Sequence, residues 1–326
     1  MEFAVTGASG FIGTRLSRHL HKRGHGVVAL VRSPEKVQAL ADAGIRTKVC
    51  DVTDPDSLRS AFRGVDGVFH LAALFNCPEA SMDDYRSVNV GGTRNVLEAA
   101  LACNVKRVVH CSTVGVAVSN GNPPFCEATP YSPPSWDKYE TTKCEAEQLA
   151  LDFERRTRLP VVVIRPAQVY GPGDRGKVKF YRMVKKGMIV NPGGTRKHLI
   201  FIDDLCRAFE LAMEKDGITG EIFIIAGDKP IALVDLVAIV ARALGVPRPK
   251  VILPALAMTG LCIVTEAICN LIKIRPLLFR RSMDFFTRSV EMNGQKAKRS
   301  LGFQNHVDVE AGVARTLGWY KESGLI

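Results

Sequence analysis

Thr6-Gly7-Ala8-Ser9-Gly10-Phe11-Ile12-Gly13 stands where an apolar run, Glu2-Phe3-Ala4-Val5-Thr6, gives way to a helical pattern that opens at Phe11. Three glycines at such a junction allow a tight turn, close approach of a pyrophosphate and close packing of helix against strand. The first turn of the helix then offers its unpaired backbone N–H groups to the anion. A glycine triplet alone also fits an ordinary turn. Here strand, turn and helix come in the required order, so a dinucleotide is expected against Gly7, Gly10, Phe11, Ile12 and Gly13.

Outward from this junction the chain alternates. Apolar, β-branched runs at 2–6, 26–31, 47–50, 67–71, 105–111 and 161–165 predict strands, and helical spacing fills 11–24, 34–43, 55–63, 83–104 and 137–158. Such alternation implies a parallel sheet covered on both faces. The fold class is therefore α/β: a doubly wound parallel (Rossmann) sheet with a smaller, mostly helical C-terminal substrate domain. After Pro166 the alternation breaks at Gly171-Pro172-Gly173-Asp174 and again at Asn191-Pro192-Gly193-Gly194. Runs at 198–202 and 221–226 read as strands, and 231–244 as an amphipathic helix. The expected division is a dinucleotide-binding domain over 1–170, rejoined by 198–227, with 171–197 and 228–326 as the cap.

Composition narrows the class. The chain has 326 residues, 46% hydrophobic and 24% charged, which excludes a disordered chain and allows a large core. Nine cysteines, an odd number with no Cys-x-x-Cys pair, exclude a disulfide framework or zinc ribbon and fit a reduced cytoplasmic compartment with no metal site. The first residues read as a strand rather than a signal peptide. The net charge of +11 is spread over both halves, and its short basic clusters lack interleaved aromatics, so nucleic acid is not expected as a partner.

The second strand ends at Val31-Arg32-Ser33. An acidic residue here would accept from the adenosine ribose, whereas an arginine pairs with a 2′-phosphate. Arg32 points to NADP(H), and a solvated arginine beside an NAD(H) site stays open. Asp51-Val52 after the third strand is placed for the adenine edge, with a cap for the helix near Pro55 as the bland alternative for Asp51. The chemistry sits in Tyr139-Glu140-Thr141-Thr142-Lys143. Residues i and i+4 share a helix face, so the ammonium can stand near the phenol and favour its ionisation. Cys111-Ser112-Thr113 ends the preceding strand and supplies hydroxyls, so Tyr139, Lys143, Thr113 and Ser112 form the candidate proton-transfer set.

These residues resemble the extended short-chain dehydrogenase/reductases, also called the NAD-dependent epimerase/dehydratase family. The resemblance covers nearly the whole chain: Thr6–Gly13, His70-Leu71-Ala72-Ala73, Asn89-Val90-Gly91-Gly92-Thr93, Ser112-Thr113, Tyr139/Lys143, Arg165-Pro166, Tyr170-Gly171-Pro172-Gly173 and Ile202-Asp203-Asp204. It implies Tyr139 as acid/base, Lys143 at the nicotinamide ribose and Thr113 as the group polarising the substrate. It further implies Leu71, Ala72 and Ala73 along the cofactor's middle, and Pro166 with Val169 beside the nicotinamide. Asn89 is left between a structural role and a direct contact, and His70 and His110 read as buried strand residues. A dimer through 83–104 and 137–158 is implied as well.

Three chemistries share this family's site. Dehydratases carry Asp-Glu after the catalytic Thr, where this chain has Val114-Gly115. Epimerases usually show an acid at the position of Arg32 and grip a nucleotide diphosphate with an arginine, for which Arg196 and Lys197 are the nearest candidates. The segment Lys296-Ala297-Lys298-Arg299-Ser300-Leu301-Gly302-Phe303 resembles the branch of 3β-hydroxysteroid dehydrogenases and dihydroflavonol reductases. The reading is thus an NADP(H)-dependent oxidoreductase interconverting a secondary alcohol and a ketone on a mainly apolar, sterol-, lipid- or flavonoid-like substrate. An NAD-dependent sugar-nucleotide 4-epimerase and a non-catalytic nucleotide sensor are its alternatives. Residues 75–82, 119–134 and 173–182 are expected to shape the pocket. The apolar stretch 251–272 is either core or pocket wall of the substrate domain, an interfacial helix giving a peripheral membrane contact through 251–281, or a span.

Overall fold

Six of the apolar runs become parallel strands: β1 (Glu2–Thr6), β2 (Gly26–Val31), β3 (Arg46–Val49), β4 (Gly67–His70), β5 (Arg107–Cys111) and β6 (Val161–Pro166). This is seen in a computed structural model that describes residues 1–33, 38–117, 124–271 and 280–326. A seventh strand, Ile222–Ile225, pairs in parallel with β6 and closes the edge, so the sheet runs Ile222–Ile225, β6, β5, β4, β1, β2, β3. The chain winds outward from β1 to β3, then crosses back to β4 beside β1. That reversal opens the crevice at the carboxyl ends of β1 and β4 where ligands of such sheets bind.

Successive side chains point to opposite faces, so both faces need cover. Phe3, Val5, Phe69 and Val109 meet Leu16, Leu20 and Phe209 on one side. Ala4, Val68 and Val108 meet Leu58, Phe62, Val96, Leu97 and Phe153 on the other. Each fully buried large side chain contributes roughly 1.5–3 kcal/mol, which is why near-continuous apolar runs mark strands of this kind.

The differences from expectation are local. The helix expected over 34–43 is described only as Gln38–Ala41, its first part lying outside the described residues. The helix expected over 83–104 divides into Met82–Arg86, a wider π-type turn Ser87–Gly91, and Gly92–Ala102. The strand expected over 198–202 is Leu199–Phe201 and pairs with Gln168–Tyr170 apart from the main sheet. Ile202 instead opens a helix, Ile202–Glu214, that packs on the first sheet face. The Asp203-Asp204 pair fastens it: Asp203 takes Arg15 of the Phe11–Lys22 helix, and Asp204 accepts the backbone N–H groups of His306 and Val307.

Beyond the sheet, Val178–Lys185, Leu233–Leu244 and Val309–Glu322 are helices, and a short parallel pair joins Met188–Val190 to Val251–Leu253. Ala255–Leu271 and Arg280–Thr287 follow. No helix among the described residues is long and apolar enough to cross a membrane.

Candidate active site

The glycine loop is built as its sequence requires. Gly7 has φ +67°, and a Cβ there would stand 2.8 Å from the backbone nitrogen of Ala72. A Cβ on Gly13 would collide with the Gly7 carbonyl. Gly10 precedes the Phe11–Lys22 helix with no side-chain cap, and the first turn carries no acid, so its N–H groups face the crevice open to an anion. Phe11 also packs near Gly173, which brings the 171–173 loop to the same place. A cradle that any side chain would fill, ending at an uncapped helix, fits a dinucleotide pyrophosphate.

The other expected cofactor residues follow the strand ends. Ala8 N–H donates to the Leu30 carbonyl at 3.3 Å, so the end of β2 lies against the glycine loop. Arg32 follows it, exposed, making no hydrogen bond or ion pair with another described residue. Asp51 holds Thr53 through both its N–H and hydroxyl; the cap of the Pro55–Phe62 helix is Asp54, not Asp51. Val52 is buried under Gly92. Leu71 and Ala72 donate their N–H groups to Thr6 Oγ1, fixing the chain after β4, and Ala73 continues it half-buried. Pro166 ends β6, and Val169 lies half-buried three residues on.

Tyr139 and Lys143 sit in the first turns of Lys138–Thr157, whose start is capped by Asp137 accepting from the N–H groups of Tyr139 and Glu140. Lys143 is buried, and that burial pushes its ammonium pKa down, against the opposing pull of Cys111 and Glu147. Its Nζ lies 3.5 Å from His110 Nε2. Thr113 Oγ1 accepts from Gly115 N–H at 3.2 Å, leaving the hydroxyl proton for another partner. A side chain at 115 would collide with Glu140, so the turn after Thr113 is pressed against the helix that carries Tyr139.

Ser112, grouped with Thr113 from the sequence, is placed differently. It is buried, and its hydroxyl donates to Glu147. Glu147 also receives Arg165 through Nε and Nη2 and the Tyr131 hydroxyl at 2.8 Å. Glu147 was not singled out in the sequence, although it stands one helical turn beyond Lys143. The Asn89 amide ties the Leu74 backbone to the Thr142 hydroxyl.

His70 and His110 lie buried beneath the site, their rings 5.3 Å apart. His70 bridges the hydroxyls of Thr6 and Thr93. Burial, with the Lys143 charge, pushes His70 down to about 3, and burial with Lys143 and His70 holds His110 well below its ordinary range. The unfolded chain takes up these protons near pH 6.5, whereas folded His70 does not until about pH 3. Between those limits the unfolded state binds more protons, so stability falls as pH falls. Urea unfolding should cost about 2 kcal/mol less at pH 5 than at pH 7 through His70 alone, at about 1.4 kcal/mol per pH unit. The double replacement His70→Gln/His110→Gln should flatten that window; equal pH slopes in both proteins would refute the assignment.

The cap reaches the site through Arg288, whose Nη1 meets the Glu140 carboxylate at 3.0 Å. Lys197 is buried and donates to the carbonyls of Asp284 and Arg288. Arg196 pairs with Glu291 at 2.9 Å. On the open side, Phe75 stands edge-on to Tyr139 with ring centroids 4.8 Å apart, and Phe75 is 54% exposed. Of the expected pocket loops, 75–82 is described throughout, and 118–123 lies outside the described residues.

Residues 3–226 match the NAD dependent epimerase/dehydratase family. A 2-alkyl-3-oxoalkanoate reductase of Stenotrophomonas maltophilia is 30% identical over 97% of this chain and 98% of its own length. Sterol demethylase protein B of Methylococcus capsulatus is 28% identical over the full length of both chains. Among solved structures, MoeE5 in complex with UDP-glucose and NAD superposes with a TM-score of 0.79 at 26% identity, covering 99% of each chain.

Proposed function

The chain belongs to the NAD dependent epimerase/dehydratase family, an enzyme family of the extended short-chain dehydrogenase/reductase type, and from that premise we propose an NADP(H)-dependent oxidoreductase that interconverts a secondary alcohol and a ketone on a mainly apolar substrate. The observation that carries this reading is Phe75, a half-exposed ring set edge-on against Tyr139, which makes the wall beside the reacting phenol hydrocarbon. The epimerase alternative needs a free cation for a diphosphate, and Arg196 and Lys197 are both engaged within the cap. A reductase acting on 3-oxoalkanoates and a protein of sterol demethylation among the relatives support the same substrate class.

In this reading the Gly7–Gly13 loop and the helix start hold the pyrophosphate, with Asp51 and Val52 toward the adenine. Leu71, Ala72 and Ala73 line the middle, and Pro166 and Val169 flank the nicotinamide. The bound nicotinamide supplies or accepts the hydride at the substrate carbon. Thr113 donates its hydroxyl proton in a hydrogen bond to the substrate oxygen and so orients it. Tyr139 gives its phenolic proton to that oxygen in the reductive direction and takes it back in the oxidative one. Lys143, held one turn away, favours the phenolate that remains. Ser112 braces Thr113 from beneath. The chain acts in the cytoplasm, in keeping with nine free thiols, and pairs as a dimer through the outer faces of Gly92–Ala102 and Lys138–Thr157.

The test is a redox assay on the desalted protein with NADPH or NADH and panels of sterol, β-keto lipid, flavonoid and UDP-sugar substrates. Net NADPH oxidation with an apolar ketone is expected. Retained NAD with UDP-sugar interconversion and no net redox would overturn the reading. A charge-assisted hydrogen bond contributes about 1.5–3 kcal/mol, so Arg32→Ala should weaken NADPH more than about tenfold and leave NADH unchanged. An equal loss for both cofactors refutes the 2′-phosphate contact.

A further inference from the structure

The Ala255–Leu271 helix is turned inside out. Met258, Cys262 and Cys269 face the protein, and Thr259, Thr265 and Glu266 are half-buried. Leu256, Ile263, Val264 and Ile268, spaced at i, i+7, i+8 and i+12, form one stripe to solvent, joined by Leu261. Leu256 is 90% exposed. Of the alternatives open from the sequence, a wall buried within the substrate domain does not match this packing, which turns the apolar side outward. Val251 and Ile252, in the short strand just before the helix, are exposed as well. Scattered exposed leucines need no explanation, but a contiguous apolar stripe of this length does.

The surroundings say what covers it. Lys250 and Val251 donate their N–H groups to the Gly187 carbonyl, which sets Lys250 beside Lys185 and Lys186, and Arg248 lies two residues before. All four cations are exposed. Residues 175–202 and 242–265 contain no acid. A greasy stripe with a cationic collar is complementary to an anionic bilayer surface, where the stripe enters the acyl boundary and the lysines meet phosphates. A second copy of this chain would set one such collar against another.

We propose that the Ala255–Leu271 stripe with Lys185, Lys186, Arg248 and Lys250 is a peripheral docking surface for anionic membrane lipid. It rests on the proposed function only in its purpose, since an apolar substrate is drawn from the same surface. The helix packs on Arg280–Thr287, which leads to Arg288 and its ion pair with Glu140, the neighbour of Tyr139. Docking at the stripe thus sits two elements from the reacting phenol.

Flotation of the full chain with vesicles tests this directly. One set is phosphatidylcholine alone, the other phosphatidylcholine with one-third phosphatidylglycerol. The protein should float with the anionic set, more weakly at high salt. Ile263→Asp/Ile268→Asp should lower partitioning more than about tenfold, and Lys185→Glu/Lys186→Glu about fivefold per charge or more. Both exposed-site variants should retain reduction of a small soluble ketone. Wild type remaining unbound to both sets, or binding unchanged in the variants, would overturn the proposal. So would a wild-type dimer that Ile263→Asp/Ile268→Asp splits without any vesicle binding, which makes the stripe a contact between copies. Flotation needs no turnover, so a chain that binds vesicles but reduces no ketone refutes the proposed function and leaves this docking surface standing.

Discussion

Tyr139→Phe is expected to lower kcat for a confirmed substrate by about 10²–10⁴, the ordinary worth of a positioned general acid/base. The ring is held by the edge-on contact with Phe75 and by a helix start capped by Asp137, and neither depends on the phenol oxygen. Cofactor affinity should therefore stay as in the wild type while turnover collapses. The pH dependence carries the sign of the role. Reduction needs the protonated phenol and slows as pH rises, whereas oxidation needs the phenolate and quickens. Both limbs should vanish in the Phe variant. Lys143→Met should differ in kind: it removes a buried charge that the proposed mechanism assigns to both the phenol and the cofactor ribose, so cofactor binding is expected to weaken along with turnover. Unchanged turnover in Tyr139→Phe would remove Tyr139 from the mechanism.

What could be read without coordinates follows from what is local. A sheet covered on both faces writes long apolar runs into its strands, and the expected runs at 2–6, 26–31 and 67–71 meet β1, β2 and β4 to within a residue. The glycine loop was equally legible, because a missing Cβ is a property of the residue itself. Readings that depended on two distant segments were not. Nothing near residue 89 says that its amide will bind Leu74 and Thr142, the tie that sits within the wider turn dividing the expected 83–104 helix. The pattern Ile202, Leu205, Cys206, Phe209 was helical on its face, yet the apolar run before it read through as strand. Periodicity located an apolar side on 255–271 but carries no information on which side meets solvent.

The same logic hid the Arg165–Glu147 pair, whose partners come from four separate segments. Glu147 lies on the Lys138–Thr157 helix, Arg165 on β6, Ser112 at the end of β5, and Tyr131 in the loop beyond. Both charged side chains are essentially fully buried, at 1% and 0% exposure. Removing one partner strands the other charge in a low dielectric, which costs about 3–5 kcal/mol, whereas a neutral exchange of both is far milder. Glu147→Gln is therefore expected to lose about 3–5 kcal/mol of unfolding free energy in urea. Arg165→Met should lose a similar amount, and Arg165→Met/Glu147→Leu much less than their sum. Ser112→Ala removes one hydrogen bond to the carboxylate and should cost about 1–3 kcal/mol. The stability losses have a catalytic companion, because Ser112 is fixed to Glu147 and Thr113 is its neighbour. Glu147→Gln should thus lower kcat with the soluble ketone even under conditions where the variant is fully folded, with cofactor affinity retained. A loss below about 1 kcal/mol in Glu147→Gln, or strict additivity in the double variant, would mean that the pair is solvated and does not brace the strand end.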